Sequence, residues 1–570
     1  MSDMKYSEFV EVYEKINSIS GRLEKTRILA EFLRKLEKKG KSEWIYLLRG
    51  KVTPDYDPKE FGISRQLTIK AIAKTLGVKT ESVVKSFRKV GDLGEIAEEF
   101  VGKKMQSTLF GRELKVEKVF DNLKKLMSME GKGSVDRKTG LISEILGAAD
   151  GKAAKYIVRT LLGDLRVGVA DGIIRDAIAE AFFEGDKKEM ADKIQSVYDL
   201  SNDFAEVLDA AKKGRKELDK TEIIPGRPLN VMLPVKVEEI EEAFRICGKP
   251  AALEHKYDGF RVTIHKKGKE IWLFTRRLEN VTKQFPDVVK VVKSNVKGES
   301  FVLDSEVVGF DPKTKKYKPF ESISQRIKRK YDIEKLEREL PVEINVFDIL
   351  YYNGKSLLDE EFRERRKIVE KIVKKEDFKI RPSYQIVTDS EEKAIEFYHE
   401  ALKTGEEGIM IKKIDAPYRQ GRRVGFIVKM KPVVKDLDLV IVGAEYGSGK
   451  RGGMLTSYIV ACISDGKFLE VGKVSSGLKE IENEEGTTYD EMTKLLKPLI
   501  FEEKGNRVNV KPKIVVSVTY QNIQKSPSYN SGWAMRFPRI TNYRPDRKTG
   551  DITTLEDIKK EAKKSGNFGI

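Results

Sequence analysis

From Tyr6 to about Lys220, apolar residues recur three and four positions apart with polar residues between them, as in TRILAEFLRKLEKK and ADGIIRDAIAEAFF. That is the period of helices that bury one stripe. Glycine-bearing clusters, Val90 to Gly94, Gly131 to Gly140 and Leu161 to Gly172, separate these segments. Each reads first as a helix stop, although such loops can also bring backbone N–H groups to phosphates. At IIPGRPLNVMLP, Ile223 to Pro234, prolines and a glycine end the helical pattern. Beyond it the period falls to two: AALEHK, FRVTIHKKGKEIWLFTR folded about a Lys-Gly-Lys turn, SFVLDSEVVGF, VEINVFDILYY, EGIMIKK and GFIVKMK predict mainly antiparallel strands, with a helix over 360–374 among them. After Pro432, DLDLVIVGAEYG, SYIVACISDG, KFLEVGKVSSG and KPKIVVSVTYQNI read as an all-β unit of barrel size. The pattern predicts a multidomain chain: all-α over 1–222, α+β with antiparallel sheets over 223–432, and all-β over 433–570.

Side chains alternate across a strand, so residues of equal parity share a face. Glu254 and Lys256, Asp304 and Glu306, Asn345 and Phe347, and Lys429 and Lys431 form such pairs. In isolation each reads as a solvated face. Their neighbours, Val302, Leu303, Val307 and Val308, or Ile409, Met410 and Ile411, are core-like. A buried charge is costly unless paired, neutralised or bound to an ion, so several in one sheet point to a ligand site.

Composition narrows the partners. Lys and Arg total 109 against 91 Asp and Glu, a net charge of +18 on 570 residues. The surplus favours a polyanion, and Lys and Glu enrichment with few cysteines also matches a thermophile's ion-pair-rich surface. The 2 cysteines and 3 histidines are too few and too scattered for a zinc site or disulfide framework. No apolar run of about 18 residues and no secretory N-terminus occur, so a cytoplasmic chain, not embedded in membrane, is expected.

Lys256 opens KYDGFR, where Asp258 and Gly259 make a tight turn directly after it. A lysine attacks only when unprotonated, a small fraction at neutral pH for a group near pKa about 10.4. Desolvation and nearby cations, such as Arg261, Lys429 and Lys431 if the strands converge, would lower that value. Such an amine can form a Schiff base with a carbonyl or a phosphoramidate with a nucleotide, and cationic surroundings favour the phosphate.

Lys256-Tyr257-Asp258-Gly259-Phe260-Arg261 resembles the lysine-x-Asp-Gly-x-Arg signature of the covalent nucleotidyltransferases: ATP-dependent DNA ligases, RNA ligases and mRNA capping enzymes. FTRR (Phe274 to Arg277), LDSE (Leu303 to Glu306), FDILYYNG (Phe347 to Gly354), EGIMIK (Glu407 to Lys412) and Lys429-Met430-Lys431 follow in family order. The stretch from Ile523 to Lys548, together with LLGDLRVGV and GRPLNVMLP, resembles DNA ligases of the archaeal and eukaryotic replicative type. The resemblance spans essentially the whole chain and implies a helical DNA-binding domain, an adenylation domain and an OB-fold.

It further implies residue roles. Lys256 would be the AMP-bearing nucleophile, with Glu254 against the adenine and Phe347 stacked on it. Glu306 would hold the ribose and, with Glu407, place Mg²⁺ or Mn²⁺. Arg261 and Arg276 would meet ribose, phosphate or the nick end, and Arg423, Lys429 and Lys431 would bind phosphate. Arg544, Asp546, Arg547 and Lys548 would orient pyrophosphate when the OB-fold closes. The implied cofactor is ATP and the implied substrate nicked duplex DNA, sealed by a monomer working in replication, repair and recombination. Gln106-Ser107-Thr108-Leu109-Phe110 resembles the peptide by which such ligases grip a PCNA-type sliding clamp, with Gln106, Leu109 and Phe110 as its contacts.

The chain departs from the family at Ile427, where many relatives carry tryptophan; Met410 or Ile427 would then floor the adenine. Asp546-Arg547 replaces the commoner Asp-Lys, keeping charge and changing geometry. Gly447 to Gly452 satisfies G-x-G-x-x-G but lies between two strands, as a hairpin loop rather than a dinucleotide site. An RNA ligase or capping enzyme is disfavoured by the long helical N-terminal region. A catalytically idle DNA-binding protein is disfavoured by intact charged residues in every motif.

Overall fold

The structure is a computed structural model that describes residues 4–105, 113–131, 133–318, 320–328, 333–421, 425–432, 436–447, 451–480 and 486–564. It divides into two compact units, Met1–Lys431 and Pro432–Ile570.

The first unit begins as expected with helices and, among the described residues before Val235, no strand. Their apolar stripes meet in one core that includes Phe9, Tyr13, Leu33, Trp44, Tyr156, Ile157 and Leu208. The last long helices, Lys187–Ser201 and Phe204–Lys213, both start on aspartates, Asp186 and Asp203, whose carboxylates accept from the first free N–H groups.

Two sheets follow. One is ordered Val235–Val237, Ile427–Met430, Ile409–Lys413, Ala251–His255, Gln385–Thr388. Its outer face packs Leu253, Ile409, Ile411 and Val428 on helices Ile240–Cys247 and Glu391–Lys403. The other has the path Glu270–Thr275, Phe260–Lys267, Ser300–Phe310, Val342–Tyr352, Lys355–Ser356, with two further short strands at its sides. Its outer face buries Val262, Ile264, Leu303 and Val346 against helices Pro286–Asn295 and Phe362–Ile372. The apolar faces thus point outward to helices, and the faces turned toward each other carry the charges.

The strand limits predicted from alternation match closely: Val342–Tyr352 and Ser300–Phe310 are the segments read from the sequence. Alternation did not show that Ser305 faces Val346 while Asp304 faces Asp348, which leaves Phe347 as an extra, bulged residue. A bulge re-aims side chains, and it brings Phe347 and Asp348 to the same side.

The segment 223–234 straps helices to sheets. Asn230 donates to Asp199 through its backbone N–H at 2.8 Å and its side chain at 3.0 Å. Arg227 donates to the Ser201 carbonyl at 2.8 Å, and the Met232 N–H donates to the Tyr418 hydroxyl at 3.0 Å. The Gly226 N–H reaches Nδ1 of His265, a fully buried ring edge-on to Phe274.

The second unit is mainly β, as expected. Leu437–Tyr446 pairs with Leu455–Ser464 on one side and with Arg507–Val510 and Val515–Thr519 on the other. Helices Tyr489–Leu496 and Leu555–Lys564, which strand alternation did not reveal, close onto its core at Met492, Leu496, Ile558 and Ala562. The strands that flank the G-x-G-x-x-G segment, Leu437–Tyr446 and Leu455–Ser464, are antiparallel, and residues 448–450 of the segment lie outside the described residues. Among the described residues no helix is long and apolar enough to cross a membrane.

Burial pushes His265 down to about 3, and burial with the Arg381 charge pushes His255 down to about 4. Both rings stay neutral in the fold down to these values, whereas in the unfolded chain they gain a proton below about pH 6.5. They therefore stabilise the fold above about pH 6.5, and that contribution is lost as pH falls through these values. His265→Gln should flatten the dependence of unfolding free energy on pH by about 1 kcal/mol per pH unit between about pH 6.5 and 5. An unchanged slope in denaturant titrations would count against a neutral buried His265.

Candidate active site

Lys256 follows directly on the strand Ala251–His255, and its backbone is held on both sides. Its N–H donates to the Gly408 carbonyl, and its carbonyl accepts from the Glu407 N–H, each at 2.9 Å. Two glycines permit this crossing. A Cβ on Gly408, at φ +135°, would lie 2.1 Å from the Met430 carbonyl oxygen, and one on Gly259 would lie 2.5 Å from that of Val307. Neither position can accept a side chain without backbone movement. The following residue, Tyr257, is buried and accepts from the Tyr384 N–H at 3.1 Å.

The Lys256 Nζ lies 2.5 Å from Glu407 Oε2, and Lys431 reaches the same oxygen at 2.5 Å. Burial alone would raise the Glu407 carboxyl; the two ammonium groups overcome it and hold the group down at about 2. Burial, with Lys256 close by, lowers the Lys431 amine despite Glu407. Across from them Glu306 stands on Ser300–Phe310, in a cross-strand row with Arg261 and Asn345. Burial drives its carboxyl up to about 8; Lys256 and Arg261 oppose that rise, and Glu407 and Asp304 add to it.

The other expected residues are placed as follows. Arg261 grips Asp304 with two hydrogen bonds, 2.9 and 2.6 Å, and donates to the Met232 carbonyl at 2.8 Å and the Tyr418 hydroxyl at 3.1 Å. Its guanidinium lies 5.4 Å from the centre of the Phe347 ring. Glu254 is buried, accepting from Lys412 at 2.8 Å and Gln385 at 2.7 Å. Met410 lies opposite both Glu254 and Lys429 in register and is half-buried; Ile427 lies opposite Lys412 and is buried with Leu350 and Tyr418. Arg276 is exposed just past the strand Glu270–Thr275. Arg423 lies outside the described residues, as do Gln106, Leu109 and Phe110.

In the second unit, Arg544 bonds Asp546 at 2.7 Å and Asp438 at 3.1 Å, and Arg547 reaches Asp438 at 3.3 Å. Lys548 is exposed beside them. Asp438, on the strand Leu437–Tyr446, thus organises the cationic end of the motif.

Strand parity missed Lys412, Tyr418, Gln385 and Arg366, all of which hold expected site residues. Lys412 shares parity with Met410, a usable signal. Arg366 sits on a helix more than a hundred residues from Glu254 in sequence, and nothing local marks it.

The arrangement offers an amine nucleophile, cations suited to phosphate, and an aromatic ring beside a buried carboxylate, the parts needed to hold a purine nucleotide. Among the described residues no group of three or more His, Cys, Asp and Glu side chains is placed to hold a metal by itself. Glu306 and Glu407 do fit a hard cation that takes its remaining ligands from phosphates and water. Their mutual repulsion, which helps push Glu306 up, is what such a cation would relieve.

Comparison with known proteins agrees along the chain. Residues 5–179 match the family model for the DNA ligase N terminus, 231–431 the ATP dependent DNA ligase domain, and 451–547 the ATP dependent DNA ligase C terminal region. The DNA ligase of Nanoarchaeum equitans is 45% identical over 560 residues, covering 98% of each chain. That of Thermococcus fumicolans is 40% identical, covering 97% of this chain and 98% of the other. The solved structure named Pmar-Lig_Pre shares the fold with a TM-score of 0.57 at 18% identity, over 94% of this chain and 99% of that one.

A raised carboxyl makes Glu306 neutral to stability below the ordinary value of 4.5 and increasingly unfavourable as pH climbs toward about 8. In metal-free buffer, Glu306→Gln should leave stability unchanged at about pH 4 and raise it by about 1–3 kcal/mol at about pH 9. Thermal melts showing the same change at both pH values would contradict this placement.

Proposed function

The chain belongs to the ATP-dependent DNA ligase family, an enzyme family that joins DNA with ATP, and from that premise we propose that Lys256 is the residue that carries AMP. The observation that carries the reading is the position of its amine, 2.5 Å from Glu407 beside Lys431, in the cleft between two sheets whose facing sides hold Glu254, Phe347 and Glu306. We take 1–222, 223–432 and 433–570 as its DNA-binding, adenylation and OB-fold parts.

Lys256 Nζ attacks the α-phosphorus of ATP, forming a P–N bond as the bond to pyrophosphate breaks. A 5′-phosphate oxygen at the nick then attacks the same phosphorus and frees the amine. The 3′-hydroxyl finally attacks the 5′-phosphorus, closing the phosphodiester and releasing AMP. Glu407 accepts a hydrogen bond from the Lys256 ammonium in the resting state, and Lys431 weakens that hold by sharing the same oxygen. Charge gathers on phosphate oxygens at every step, so Lys431, Lys429 and Arg423 serve as its cationic partners. A bound Mg²⁺ or Mn²⁺, held by Glu306 and Glu407, would neutralise part of that charge. Glu254 and Phe347 flank the adenine and Met410, the more accessible of the two aliphatic candidates, floors it. Arg261, held by Asp304, Tyr418 and Met232 through four of its five N–H donors, orients Phe347, and Arg276 faces the nick.

Arg544, Asp546, Arg547 and Lys548 serve pyrophosphate release in the first step alone. Nick sealing needs no base readout, so backbone phosphate contacts suffice and binding should weaken steeply with salt. Replication, repair and recombination each generate such nicks, and a clamp held through Gln106, Leu109 and Phe110 would bring the enzyme to them; Phe110→Ala should abolish clamp binding in a pull-down while leaving nick sealing intact.

With α-labelled ATP and Mg²⁺, the protein should take up label that survives alkali and leaves in acid, as a phosphoramidate does. Lys256→Ala should abolish it. Label drawn from GTP alone, or retained by that variant, refutes the assignment. Arg544→Ala should slow lysine labelling at least about tenfold, equivalent to about 1.4 kcal/mol, while sealing of a pre-adenylated nick stays near normal.

A further inference from the structure

Lys412 is nearly inaccessible, with its side chain 4% exposed, an unusual state for a lysine. Its Nζ is shared between the two sheets. From its own sheet it binds Glu254 Oε2 at 2.8 Å. Toward the facing sheet it donates to the Phe347 carbonyl at 3.3 Å and lies 4.7 Å from the centre of that ring. A second ring, Phe362, sits 4.6 Å away and closes off water.

Glu254 is fixed from its other oxygen as well. Gln385, opposite it in register, donates to Oε1 at 2.7 Å, and Arg366, anchored on Ser383, stands 3.7 Å from the same atom. A carboxylate offers about four acceptor directions. Lys412 and Gln385 take one on each oxygen and lock the plane, leaving the rest for a donor from a ligand. The bulge at Phe347 makes the second hold useful, because the sheet ladder does not fix the direction of a bulged residue.

We propose that Lys412 is a positioning residue for the nucleobase: it sets the distance and angle between the Glu254 acceptor and the Phe347 ring, and so selects a purine bearing a 6-amino group. The inference rests on the reading that Glu254 and Phe347 flank the base. A 6-amino group donates to Glu254, whereas a 6-oxo group meets the carboxylate with a second acceptor and leaves it unpaired, the arrangement that gives large discrimination.

The test compares lysine labelling of the full chain by α-labelled ATP and by α-labelled inosine triphosphate, which differs in carrying the 6-oxo group. In Lys412→Met the preference for ATP, as a ratio of kcat/KM values, should fall about tenfold or more, chiefly through KM for ATP, with labelling by inosine triphosphate reduced far less. Lys412→Arg should keep most of the preference. A merely structural lysine would lower both rates together. Because Lys412→Met strands a buried carboxylate and can unfold the domain, Glu254→Gln with Lys412→Met provides a charge-balanced second variant. If Lys412 acts through Glu254, that double variant should show the same ATP preference as Glu254→Gln alone. Equal losses with both triphosphates, an unchanged preference in Lys412→Met, or additive losses in the double variant would overturn the inference. A wild-type protein that takes label equally from both triphosphates would overturn it alone. One that takes no label from ATP would overturn the assignment of Lys256 too.

Discussion

The adenylation part of this protein is organised by an electrostatic constraint: two sheets face one another across charged side chains, and each charge taken from water needs a partner. An unpaired ion in such a place costs several kcal/mol or shifts its proton equilibrium. The structure answers with pairs that cross between elements. Asp304 takes Arg261 and Tyr418, Asp348 takes Arg365 in two contacts of 2.7 and 3.0 Å, and Glu254 takes Lys412. Such pairs add little net stability against an apolar alternative. A different docking of the sheets would have to find these ions new partners.

That constraint also shapes the charge balance at the proposed site. Where pairs close fully, at Asp304 and Asp348, the side chains act as scaffold. At the cleft the pairing is uneven: one Glu407 oxygen serves two lysines, and Glu306, which forms no ion pair among the described residues, holds its proton up to about 8. The imbalance is what an incoming polyanion with its counter-cation would complete. The same logic recurs in the second unit, where Asp438 binds Arg544 and Arg547 and keeps both cations oriented at the surface. Other ion pairs lie at the exposed surface between helix neighbours, such as Lys103 with Glu99 or Lys367 with Glu364, each worth little by itself.

Packing on the outer faces is conventional, and it frees the inner faces for chemistry. Leu253, Ile411 and Val428, or Val262, Leu303 and Val346, bury one side of each sheet against helices. The strap over 223–234 adds a third direction of support: Met232 bonds Tyr418 and receives Arg261, so the floor under Phe347 is tied through Asn230 and Arg227 to the helical part. A change in that strap would reach the proposed nucleotide site through these hydrogen bonds.

Much of this was legible in the chain by itself. Period and breakers gave the helical first part, the strands of the middle part and the β character of the last, because local burial on one face imposes a period that local sequence records. The spacing of KYDGFR, LDSE, FDILYY, EGIMIK and Lys429-Met430-Lys431 marked the strands that carry the site. What tertiary structure alone decided was which charges meet. The bulge that turns Phe347 and Asp348 to one side, the burial of Lys412 between Glu254 and two rings, and the capture of Arg261 by Asp304 and Tyr418 depend on contacts between residues tens to hundreds of positions apart. Alternation tells which face a side chain takes; electrostatic pairing is settled only when a second sheet supplies the partner.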